Sequence, residues 1–79
     1  MIEFREALKK ANEYHAYLSA IRVAELIDSR VFTMGSIDGE TVYGPKPIRV
    51  MKSDGKTYEW DTIKYSNEFK EKFFNKVDL

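Results

Sequence analysis

The stretch from Gly44 to Trp60, Gly-Pro-Lys-Pro-Ile-Arg-Val-Met-Lys-Ser-Asp-Gly-Lys-Thr-Tyr-Glu-Trp, constrains the fold more than any other. Pro45 and Pro47 stiffen its entry, Ile48 to Met51 is an apolar-rich run, and Thr57 to Trp60 is an aromatic one. Between them Asp54-Gly55 supplies residues that tolerate the backbone of a tight reversal, so the stretch reads as a β-hairpin. Pro47 has no amide hydrogen to donate, which places its strand at an edge or delays pairing until Ile48. Alternation puts Ile48 and Val50 on one face, and Ile48, Val50, Tyr58 and Trp60 are expected to face the N-terminal helix.

That helix is read from Phe4, Ala7, Leu8, Ala11, Tyr14, His15 and Leu18, which recur at steps of three and four. The spacing predicts a helix over about 3–19, with Glu6 four residues before Lys10 as a supportive pair. Ile21 to Ile27 is rich in β-branched residues, yet the helical period also runs on through Ile21, Ala24 and Leu26, so strand and helix both remain open. Asp28-Ser29-Arg30 breaks either reading, Val31 to Met34 starts a strand, and Asp38-Gly39 reads as a second hairpin turn. Thr41-Val42-Tyr43 resumes the ladder. Ser66 is placed to cap a last helix over about 67–76, with Phe69, Phe73 and Val77 at four-residue steps. The fold class is α+β, one domain over 1–79, with the N-terminal helix on an antiparallel β-meander and a short C-terminal helix.

A domain of 79 residues leaves little room for a deep enzyme cleft. With 14% aromatic residues it has large rings to fill a small core. It has no cysteine, so neither a disulfide framework nor a thiolate metal site can form, which fits a reducing compartment. Thirteen basic and thirteen acidic residues cancel and are interspersed, which argues against a general binder of nucleic acid or anionic membrane. No run approaches the roughly 18 apolar residues of a membrane span, and Met1 to Glu6 lacks the pattern of a signal peptide, so a cytoplasmic protein is expected.

The chemistry-bearing residues are few. His15 is the lone histidine, and general-base work needs an oriented partner that no local spacing supplies. Asp38 and Asp54 read as turn residues, the Asp-x-Asp-x-Asp-Gly pattern of a calcium loop is missing, and no phosphate-cradling glycine motif occurs. No catalytic residue, metal site or cofactor is expected, and the chain reads as a non-enzyme. Lys46, Arg49, Lys52 and Lys56 with Tyr43, Tyr58 and Trp60 could track and stack single-stranded nucleic acid, although charged residues guarding a small sheet explain them as well. Asp28, Asp38, Glu40, Glu59 and Asp61 could instead present a negative patch to a basic partner.

Val31 to Trp60, led by Gly44, Pro45, Pro47, Ile48, Val50, Asp54 and Gly55, resembles small bacterial immunity-type domains, and the helix-then-meander order is similar to PepSY-like domains. The resemblance implies a non-enzymatic protein that binds and blocks another protein. On that reading Tyr43, Arg49, Met51 and Trp60 are the expected interface anchors, since Trp, Tyr and Arg dominate binding hot spots. The partner is another protein, with nucleic acid the alternative. The chain is expected to be a monomer, or a homodimer paired through an open strand edge.

Overall fold

The computed structural model of the chain describes residues 1–14, 18–36 and 46–79. Its elements run α1 (Phe4–Tyr14), β1 (Leu18–Leu26), β2 (Ser29–Ser36), β3 (Ile48–Met51), β4 (Thr57–Glu59), α2 (Ser66–Lys72) and β5 (Phe73–Asp78). The strands form one antiparallel sheet in the order β4-β3-β2-β1-β5. The α+β architecture expected from the sequence is the one observed.

Ile21 to Ile27 resolves as strand up to Leu26. Both faces of β1 are buried, Val23 under α1 and Ala24 with Leu26 on the reverse, and a strand apolar on both sides loses the alternation that would distinguish it from a helix. Ile21 is bulged out of register between Ala20 and Arg22, which further blurs the period of two. The first helix is therefore shorter than its apolar stripe implies. Asn12 Oδ1 accepts the Ala20 N–H at 2.8 Å and ties the end of α1 to the strand.

The helix packs on β1 through β4. Ala7 and Ala11, both fully buried, let it approach closely enough to cover Val23, Phe32, Ile48 and Val50, while Ile2, Phe4 and Leu8 seal the margin. Lys10 lies against the β3–β4 loop instead of acting mainly as a partner for Glu6, and the ion pair along the helix is Lys9 to Glu13 at 3.9 Å. That loop, 52–56, is closed by the Gly55 N–H to Met51 O bond and the Met51 N–H to Lys56 O bond. Gly55 has φ +75°, a backbone conformation that requires glycine, and the end of the flexible Lys10 side chain lies over it.

The register across this hairpin corrects one expectation. Ile48 pairs with Glu59, Arg49 with Tyr58 and Val50 with Thr57. Tyr58 and Trp60 therefore share a face with Arg49 and turn away from α1, whereas Ile48 and Val50 face it as expected. On that second face Trp60 packs with Ala24, Leu26 and Val31, and Phe69 of α2 closes over them.

The C-terminal segment departs from expectation more sharply. The final helix stops at Lys72, Phe73 is already extended, and residues to Asp78 pair with β1 as a fifth strand. Phe69 and Phe73 do sit together, with ring centroids 5.4 Å apart, but across a helix–strand junction. Nor does Ser66 cap the helix. Tyr65 occupies the cap position without a side-chain bond, and Asp61 Oδ1 organises the preceding turn by accepting the N–H groups of Ile63 and Lys64, each at 3.0 Å. The Asp38-Gly39 turn, Thr41 to Tyr43 and His15 lie outside the described residues.

Candidate functional site

The β1–β2 connection is a two-residue tip, Ile27-Asp28, and the sheet's polar architecture converges on it. The Asp28 carbonyl accepts the Lys52 N–H at 3.0 Å, and the Ile27 N–H reaches Lys72 O at 3.0 Å, so the tip is locked by the ends of β3 and α2. On the face away from α1, Ser29 leads β2 and Arg49 sits in the middle of β3. Only 4% of Arg49 is exposed.

Its guanidinium is held by a set of partners that leaves it little freedom. Nε donates to Ser29 Oγ at 2.9 Å, and Nη2 reaches Asp28 Oδ1 at 3.1 Å and Glu68 Oε1 at 3.1 Å. The flat cation also lies 4.3 Å from the centroid of the Trp60 ring. Lys72 closes the circuit, with Nζ at 2.7 Å from Asp28 Oδ2 and 3.2 Å from Glu68 Oε1. Two cations and two carboxylates thus neutralise one another over an aromatic floor, and Trp60 stacks in turn on Tyr65 with centroids 6.0 Å apart.

Partial burial pushes the Asp28 carboxyl up, but hydrogen bonds from Lys72, Ser29 and Arg49 outweigh it and hold the group at about 2. The Lys72 hydrogen bond lowers Glu68, and bonds to Asp28 and Glu68 raise Lys72. Burial works against the Arg49 charge, yet the Tyr58 oxygen and the two carboxylates raise its pKa further. Every member is therefore fixed in its charged form around neutral pH. A general acid or base needs a pKa near the working pH, and this quartet is suited to holding shape instead of moving protons.

A second charge cluster pins the same end of the sheet from the helix side. Glu25 bonds Arg30 Nε at 2.9 Å through Oε1 and Lys52 Nζ at 3.1 Å through Oε2. Lys52 also donates to Leu26 O at 2.7 Å. Every buried side-chain nitrogen and oxygen among the described residues has a partner. No group of three or more His, Cys, Asp or Glu side chains among them could hold a metal ion.

These networks decide where the expected anchors lie. Arg49 and Trp60, 3% exposed, come together but inside the molecule. Met51 sits half-buried beside them and accepts the Tyr58 hydroxyl at 3.7 Å through Sδ. Tyr43 lies outside the described residues. Of the four hairpin cations, Arg49 and Lys52 are engaged internally, and Lys46 and Lys56 are exposed. Of the five acidic residues read as one patch, Asp28 is a hub of the quartet and Asp61 a turn organiser, while Asp38 and Glu40 lie outside the described residues.

What the sequence reading missed is the outer strand. β5 pairs with β1 on one side, its other edge carries no strand among the described residues, and all six of its residues are exposed. Phe74 is 61% exposed and Val77 44%, with Ile27 and Leu79 bare beside them. The Phe-Phe pair was the available signal, but a four-residue spacing with Phe69 gave it to the helix.

The molecule is thus a small α+β domain with a five-stranded antiparallel sheet, a charge-locked end and an exposed outer strand of mixed character. Among the described residues no helix is long and apolar enough to cross a membrane. Comparison with protein-family models, curated proteins and solved structures gave no match to the chain, so its function rests on the geometry.

Proposed function

We propose that this chain is a non-catalytic protein-binding domain that acts by occluding a partner's surface, in the manner of immunity, antitoxin or phage-type inhibitor domains, and that it docks through β5. The observation that carries the reading is the open edge itself. Sheet edges in soluble proteins are kept short, bulged or charged against stray pairing, and β4, at three residues, obeys that rule. β5 does not. It offers six residues of backbone with Phe73, Phe74 and Val77 along them, and apolar strips of that kind mark interaction sites. The occupant is an extended strand of another protein, whose backbone completes the ladder while apolar side chains cover Phe74 and Val77. A cytoplasmic setting belongs to this reading and rests on the cysteine-free sequence. Nucleic acid has less support, because two of the four hairpin cations are internally paired.

The test compares the wild-type chain with Phe74→Glu in affinity capture from the organism that encodes it, alongside light scattering across a concentration series. Phe74 is mostly solvent-exposed, so the variant should fold, and unchanged circular dichroism checks this. The expected result is a monomer that retains one protein in stoichiometric amount, lost with Phe74→Glu. Capture of that protein equally by both would overturn the assignment to β5. A wild-type dimer abolished by the substitution would replace the hetero-partner with a second copy.

A further inference from the structure

Beside the charge-locked tip, on the face that carries Trp60, a groove of about 380 Å³ lies between β1, β2, α2 and β5. Ala24 and Val31 form its floor, and Phe69 and Phe73 wall one side. Their rings are stacked with an interplanar angle of 21°, which gives the wall a flat apolar surface. Pro47 lies across from them, and Thr33 adds a hydroxyl.

Two cations line this groove, and neither is fully engaged. Lys76 lines it and has no ion-pair partner among the described residues. Arg22 also lines it and is half-committed: Nε holds Asp78 Oδ1 at 2.7 Å, while the rest of its fork is left for another acceptor. One unpaired ammonium and one partly engaged guanidinium beside an apolar slot make a site for a single negative charge on an apolar body. Residues of four structural elements, with Pro47 and Thr62, line an open groove whose volume is in the range of small-molecule sites, which suits a small ligand.

We infer that this groove binds a small amphipathic carboxylate, with its apolar body against Phe69, Phe73 and Val31 and its carboxylate between Arg22 and Lys76. The groove shares Phe73 and Lys76 with β5, but it is formed within the isolated chain, so ligand binding there is tested without the partner strand.

The test is titration of the full-length ¹⁵N-labelled protein with phenylacetate and hexanoate, and with phenylacetamide and hexanamide as neutral matches. Saturable shifts are expected at Ala24, Val31, Thr33, Phe73 and Lys76, with dissociation constants of order millimolar for ligands of about ten heavy atoms. Each acid should bind about fivefold tighter than its amide, and Lys76→Gln should reduce that preference to about twofold, the share left to Arg22, while leaving amide binding unchanged. Lys76 is exposed, so the variant keeps the fold. Equal binding of acid and amide, shifts confined to other residues, or no saturable shift by about 20 mM would each overturn the proposal. So would an acidic peptide that saturates the same residues at lower concentration than either acid, which would make the groove a peptide site.

Discussion

Replacing Arg49 with alanine should destabilise the fold by about 2–3 kcal/mol. Truncating one partner of a buried, hydrogen-bonded charge pair costs about 3–5 kcal/mol, because the remaining charge keeps its desolvation without compensation. Here the figure belongs at or below the lower end. The side chains of Asp28 and Glu68 are 34% and 36% exposed, and both keep Lys72, so each can recover part of its solvation. Ser29 Oγ is fully buried with its residue and loses the Nε donor, and Trp60 loses the cation over its face. Urea denaturation followed by Trp60 fluorescence reads the change. With a slope of about 1 kcal/mol/M for a chain of this size, the midpoint should fall by about 2–3 M at constant slope. Arg49→Lys should lose more than half as much, since one ammonium cannot reach Ser29, Asp28 and Glu68 together and cannot lie flat on the indole. A loss for Arg49→Ala below about 0.5 kcal/mol at unchanged slope would refute the reasoning, because that is the range of an ordinary surface substitution.

Three further outcomes follow from the same geometry. The Asp28 carboxyl titrates lower in the folded state than its ordinary 3.8, so its contribution is present above that pH and is lost as pH falls towards about 2. After allowance for partial exposure it should be about 1 kcal/mol, measured as the difference in acid dependence between wild type and Asp28→Asn. Gly55→Ala should cost about 1 kcal/mol in the same urea assay, from the positive φ alone, since the end of Lys10 can move off the new methyl group. Asp61→Ala removes the acceptor for the Ile63 and Lys64 amides and should loosen the turn before α2, read directly as faster amide exchange at 63–69.

How much of this was legible in the sequence depended on whether local chemistry or pairing decided the outcome. The Asp54-Gly55 turn, the stripe on α1 and the apolar faces of β2 and β3 follow from local residue patterns, and they appear where the patterns place them. The facing of Tyr58 and Trp60 needed only the parity of the hairpin. A turn centred on Asp54-Gly55 sets even positions opposite odd ones, so Trp60 belongs with Arg49 and not with Ile48. That count would have revealed the cation over the indole.

The other misses are non-local. Whether Phe73 and Val77 continue a helix or begin a strand is settled by the free edge of β1, which no spacing within 66–78 encodes. The network around the quartet joins Asp28 and Ser29 to Arg49, Glu68 and Lys72 across as many as 44 positions of sequence. Its only local trace is a polar Asp-Ser pair between two apolar runs, and that pair reads equally well as a simple turn.

The claim that β5 is the docking edge is tested most directly by amide hydrogen exchange on the isolated chain and on the complex it captures. In the isolated chain the outward amides of 73–78 should exchange fast, and in the complex they should become protected together with those of β1. Protection confined to 57–59 or to α1, with 73–78 unchanged, would contradict the account and move the interface to the other edge or the helix face.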